Sequence, residues 1–307
     1  MKLLIWSTGI VAALAGAPLL PGIVNRVKAF FAGRKGPSVF QLYFDLAKLS
    51  RKAPVYSTTT SWVFRIAPVV NCAAVIGALL LLPIAGKASL FGFAGDVVLM
   101  LYVCGLGRLF TVLGALDTGS SFEGMGSSRE CQFAILSEGA ILAVFGALIL
   151  LTHRVSLSGI LAQMSLHLWS VDGTALILVG IGFFIVILAE CCRVPVDDPD
   201  THLELTMIHE AMILDNSGAD LALIHYAAAL KMWVLLLIEI LLICPKFGGG
   251  AWGQLAGEIL CVMLGAAVIG AVESVMARYR FRKVPQLLSS AIGMGLLAVV
   301  LLILFQA

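Results

Sequence analysis

Eight long apolar stretches, at residues 3–24, 63–85, 94–116, 131–152, 172–191, 219–244, 254–276 and 285–306, limit what this 307-residue chain can fold into. Each has about the 20 residues that a helix needs to cross the hydrocarbon core of a bilayer. The composition agrees, with 60% hydrophobic and only 12% charged residues and a mean hydropathy of +1.03. The expectation is an all-α, polytopic membrane protein of about eight transmembrane helices. Little length remains for a separate soluble domain. The chain therefore reads as one membrane-embedded helical domain over 1–307, with cytoplasmic loops at 25–62, 117–130, 192–218 and 277–284. The first stretch could pass for a signal peptide, but its apolar run is long, its charged n-region is Lys2 alone, and a basic loop follows it. It reads as a retained helix.

Charge sets the orientation. Thirteen Lys and Arg fall in the first, third, fifth and seventh loops, against Lys87, Arg154 and Lys246 in the even loops. By the positive-inside rule the odd loops face the cytoplasm and both termini the other side. A net charge of +2 gives no reason to expect a nucleic-acid partner. The seven cysteines lie mostly in apolar segments without paired ligand spacing, and read as small buried hydrophobes.

The first loop has a pattern of its own. VFQLYFDLAKLSRK places Val39, Leu42, Tyr43, Leu46 and Leu49 at helical spacing, with Asp45, Lys48, Arg51 and Lys52 elsewhere. An amphipathic helix lying along the interface is expected there. A basic anchor that only binds anionic headgroups fits the same residues.

Ionisable residues near mid-span are costly in lipid and usually face a partner or a wet cavity. Asp96, Glu190, Asp220 and Glu258 lie near span ends, where snorkelling to headgroup depth accounts for them. Arg108, Glu138, His225, Lys231 and Glu239 lie deeper. In the fourth span RECQFAILSEGAIL separates Glu130 from Glu138 by about 12 Å along one helix face. In the sixth, Lys231 and Glu239 have the same spacing. A desolvated Lys among carboxylates can hold and release protons. Proton relay is one reading of these groups, and structural ion pairs between helices are the other.

In the fifth loop, CCRVPVDDPDTHLELTMIHEAMILDNSG gathers Asp197, Asp198, Asp200, Glu204, Glu210 and Asp215. His202, Glu204, His209 and Glu210 contain ordinary zinc ligands, yet on a helix His202 and His209 would lie two turns apart, too far to share one ion. No phosphate-binding Gly-rich loop, nucleophile elbow or Cys motif for a nickel or iron–sulfur centre occurs.

Five runs in order carry a resemblance: GRKGPSVFQLYFDLAKL, LDTGSSFEGMGSSRECQFAILSEGAIL, AECCRVPVDDPDTHLE, DNSGADLALIHYAAALK and ESVMARYRF. Together they resemble the complex I subunit 1 family, and more closely its branch in membrane-bound group 4 nickel–iron hydrogenases, the formate hydrogenlyase and hydrogenase-4 type. The resemblance covers residues 26–283. It implies an eight-helix heel subunit that anchors a soluble redox arm, conducts protons and carries no cofactor itself. Nickel–iron and iron–sulfur centres are expected in partner subunits, namely soluble hydrogenase-like large and small subunits, with antiporter-like membrane subunits as further partners in the lipid bilayer of a bacterial or archaeal cytoplasmic membrane.

By motif position Glu130 and Glu138 match the family's fourth-helix carboxylates, Asp197 and Glu204 match acids of its fifth loop, and Asp215 stands where a Glu is usual. Lys231 and Glu273 match charged positions of the hydrogenase branch. With Glu239 these make the expected relay. Docking to the soluble arm is expected of Arg34, Lys35, Asp45, Lys48, Arg129 and Arg193. The chain also departs from the pattern: the usual Pro-Phe-Asp-Leu is here Pro195, Val196, Asp197 and Asp198, and no acid precedes Arg26. The missing acid favours the hydrogenase branch over a quinone-binding subunit. An independent ion transporter is the reading from another class, but the chain shows no internal repeat to support it.

Overall fold

A computed structural model describes residues 2–198, 207–244 and 250–306. Among them the chain is helical, with no strands. The helices are α1 (Lys2–Gly16), α2 (Leu19–Phe31), α3 (Gln41–Leu49), α4 (Trp62–Leu80), α5 (Asp96–Asp117) and α6 (Ser121–Thr152), then α7 (Leu157–Gln163), α8 (Leu166–Glu190), α9 (His209–Met212), α10 (Gly218–Ile243), α11 (Gly250–Val275) and α12 (Val284–Gln306). Seven are long and apolar enough to span a membrane. The eighth expected span is not one helix. It is the pair α1 and α2, bent by 49° where Pro18, which has no N–H to continue the helix, precedes Leu19. The bend packs against α10, since a Cβ at Gly16 would lie 2.8 Å from the Trp233 ring.

α10 is the axis of the bundle and is buried along most of its length. Its start requires glycine: Gly218 has φ +55°, and a Cβ there would meet the Lys52 carbonyl oxygen at 2.6 Å. α4 and α5 close on each other through small residues, with Gly107 against Ala74 and Gly114 against Ala67. Such a seam lets two membrane helices approach closely, and it fixes the position of Arg108.

The odd loops are bonded to one another at one end of the bundle. Val55 N–H donates to Ser217 Oγ (2.9 Å), Ser61 N–H to Asp117 Oδ2 (2.6 Å), and Tyr279 N–H to the Pro195 carbonyl (2.9 Å). The even loops meet at the other end, where Leu157 N–H donates to Asp96 Oδ1 (2.6 Å) and Ala85 N–H to Glu258 Oε2 (2.8 Å). This is the alternation that eight crossings require.

Three expectations change. Residues 121–130 are not a loop but the first turns of α6. α8 begins at Leu166, earlier than expected, running through an irregular Asp172. Much of the described part of the fifth loop is buried: Arg193, Val194, Val196, Asp197, Met207, Ile208, Ala211, Met212 and Ile213. The interfacial helix forms as α3, between Gln41 and Leu49, and Tyr43 Oη donates to the Ala15 carbonyl.

Candidate proton-transfer site

Arg108 lies near the middle of α5, where α4's small-residue seam holds the helix close. Its guanidinium meets three carboxylates: Glu130 (3.3 Å) and Glu138 (3.0 Å) of α6, and Glu190 at the end of α8. From α10, Lys231 Nζ reaches Glu190 at 2.6 Å. Ser137 Oγ donates to the other Glu190 oxygen, also at 2.6 Å. Four helices thus converge on Glu190, whose side chain is 4% exposed. When ionised, Glu130, Glu138 and Glu190 carry three negative charges against the two positive charges of Arg108 and Lys231. The group is neutral when it holds one extra proton. Ionisable groups set within membrane helices are costly unless paired in this way.

A second group lies beside it. Asp197 is buried and accepts from Ile208 N–H (3.1 Å), His209 N–H (3.3 Å) and Arg278 Nη2 (2.7 Å). It clamps both described ends of the fifth loop to the turn after α11. Glu273 of α11, fully buried, pairs with Lys28 of α2 (3.1 Å) and with Arg193 (3.6 Å).

Two cavities adjoin these groups. The larger, 490 Å³, lies between α2, α3 and α10 and is lined by Asp45, Lys48, Arg193, Asp197, Glu210 and His225 among others. The smaller, 70 Å³, is lined by Arg108, Glu130, Glu190 and Lys231. Cys191, Cys192, His209 and Ala228 line both. Burial pushes the Cys191 thiol up to about 12, and the Cys192 thiol well above its usual range.

Of the expected relay residues, Glu130, Glu138 and Lys231 come together around Arg108. Asp197 and Glu273 belong to the neighbouring clamp. Asp215 is exposed, and its backbone N–H donates to Glu123 Oε1 (3.0 Å). Lys231 turns to Glu190, not to Glu239, which is buried with Oε2 lacking a hydrogen-bond partner among the described residues. Glu204, like His202 and Asp200, lies outside the described residues.

Of the expected docking residues, Arg34, Lys35 and Lys48 are exposed, and Asp45 accepts from Gln41 (3.1 Å). Two are turned inward. Arg193 is buried against Glu273, and Arg129 donates to the Met207 carbonyl (2.8 Å) and lies 4.6 Å from the Phe281 ring centroid. Their positive charge and loop position give no sign of this from sequence.

The residues read as snorkelling behave otherwise. Asp96, Glu190, Asp220 and Glu258 are all buried and bonded. Glu190 is the centre of the site. Glu123, fully buried, lies in the stretch expected as a loop, although Glu123, Gly126 and Ser127 have the spacing of a buried helix face. Among the described residues no group of three His, Cys, Asp or Glu is placed to hold a metal ion.

The helices and this desolvated ionic group define a multi-pass, all-α membrane protein that keeps ionisable side chains within its spans. A family model described as NADH dehydrogenase matches residues 4–304, and the chain belongs to that family, of the complex I subunit 1 type. Among its relatives, "Hydrogenase-4 component C" of Escherichia coli (strain K12) is 31% identical over 271 residues, covering 86% of this chain and 84% of the relative. "Formate hydrogenlyase subunit 4" of the same organism is 28% identical over 302 residues, covering 94% and 95%. The fold is similar to a chain in the structure of the membrane-bound sulfane sulfur reductase, an archaeal respiratory membrane complex, with a TM-score of 0.80, 17% identity, and coverage of 98% of this chain and 99% of that one.

Proposed function

We propose that this chain is the membrane-anchoring, proton-conducting heel subunit of a multisubunit hydrogenase-like or complex I-like oxidoreductase. The observation that carries the reading is the meeting of three carboxylates and two cations around Arg108 and Glu190, with the clamped fifth loop starting at Glu190 itself. A rearrangement of that loop, driven by a soluble arm docked on it, would move Glu190 relative to Lys231 and change how tightly the group holds its proton. The relay residues are Glu130, Glu138, Glu190 and Lys231, with Glu239 deeper along α10. Arg34, Lys35 and Lys48 meet the soluble arm, which carries the nickel–iron and iron–sulfur centres in its large and small subunits. Antiporter-like subunits are the membrane partners. The odd loops face the cytoplasm of a bacterial or archaeal inner membrane, and both termini face away from it.

The test is the gently solubilised complex: soluble chains with paired CxxC motifs should co-purify, and redox turnover in vesicles should move protons. Purification of a lone subunit that transports a solute would replace this reading. A second reading, a quinone-binding subunit, is favoured by the 490 Å³ cavity beside α3. Photolabelling of Leu42, Leu49 or Met232 by a quinone analogue would support it.

A further inference from the structure

Two cavities that share a wall raise the question of what passes through it. The wall consists of Cys191, Cys192, His209 and Ala228. Ala228 exchanges no protons, and burial holds both thiols protonated far above neutral pH. An imidazole is the side chain suited to proton exchange near pH 7, and His209 supplies the one in this wall. Its Nε2 is buried and has no hydrogen-bond partner among the described residues. Its backbone N–H is fixed by Asp197 at 3.3 Å, so the ring stands on the clamp that Arg278 also holds.

We propose that His209 is the proton-transfer residue between the outer cavity and the Arg108–Glu190 group. This rests on the proton-relay reading above and adds its entrance. The ring takes a proton at one nitrogen on the cavity side and releases the proton of the other nitrogen toward Glu130 or Glu190, with no net change in the imidazole after the tautomer resets. The charges facing it are spread over several elements. On the outer side they are Asp45 and Lys48 of α3, Lys52, Arg193 and Asp197, Glu210 of α9 and His225 of α10. On the inner side they are Arg108, Glu130, Glu190 and Lys231. Acids on both sides suit a group that must gain a proton from one and lose it to the other.

The experiment measures protons moved per electron by the whole complex in proteoliposomes, as a function of pH, for wild type, H209Q, H209A and E138Q. The Gln variant should move far fewer protons per electron than the wild type, because an amide cannot take up and release a proton here. Free imidazole, which the 490 Å³ cavity has room to admit, should restore H209A. A wild-type ratio in H209Q overturns the proposal, as does an H209A defect that imidazole leaves untouched, or failure of both His209 variants to assemble. The E138Q arm separates the two levels. Uncoupling by E138Q with full coupling in H209Q removes only the entrance, whereas coupling that survives E138Q removes the relay reading itself.

Discussion

Glu190, the last residue of α8, lies 2.6 Å from Lys231, which stands midway along α10. A helix end therefore meets a helix centre. The fifth loop thus starts within the bundle, one residue after Glu190.

Breaking this pair should cost stability. Glu190→Gln takes from Lys231 its carboxylate partner and is expected to destabilise by about 3–5 kcal/mol, whereas Lys231→Met leaves Glu190 its Arg108 and Ser137 partners and should cost less. The double variant should recover part of that. A double-mutant cycle on thermal unfolding in detergent checks it, and simple additivity would mean that the two residues do not interact.

Asp197→Asn removes the charge that draws Arg278 and weakens the acceptor for the Ile208 and His209 N–H groups. The loop should loosen and its thiols open. In the wild type burial pushes the Cys191 thiol up to about 12, so its maleimide labelling should be slow at pH 8 and rise steeply with pH. The Asn variant should label faster at pH 8. Equal rates, with the other cysteines replaced by Ser, would show that Asp197 does not hold the loop shut.

Arg34→Ala with Lys35→Ala should weaken the soluble arm's attachment. Both residues are exposed on the stretch after α2, where charge attraction is screened by salt. The double variant should release the arm at lower salt than the wild type does. An unchanged release point would leave these residues as lipid anchors.

Labelling of introduced cysteines fixes orientation. Ser120→Cys should react from the cytoplasmic side and Leu90→Cys from the other, because Ser120 lies between α5 and α6 and Leu90 in the even loop before α5. The reverse pattern would turn the molecule over.

The seven membrane-length helices were legible because apolar length is a direct consequence of bilayer thickness. The α1–α2 bend was less so, although Pro18 and Gly16 mark it. Glu130, Glu138 and Lys231 stood out as charges deep in apolar helices, whereas Glu190 was masked by its place at the end of one. Hydropathy measures distance along a helix, and Glu190's depth depends on where α8 stops relative to α5 and α10. Arg193 and Arg129 misled for the same reason, since a basic loop residue shows its charge in sequence but not the Glu273 or Phe281 that it faces. Such contacts come from packing between distant segments.

The proton-conducting role proposed above turns on the group around Arg108, where three carboxylates face two cations. Glu138→Gln removes one of the three carboxylates and keeps the shape. Its side chain is 54% exposed, so the change leaves the buried Glu190 pairs to Arg108 and Lys231 in place. The decisive measurement is protons moved per electron transferred in proteoliposomes containing the assembled complex. The Gln variant should transfer electrons with proton movement largely lost, while Glu138→Asp retains part of it. A wild-type ratio in the Gln variant would contradict the claim.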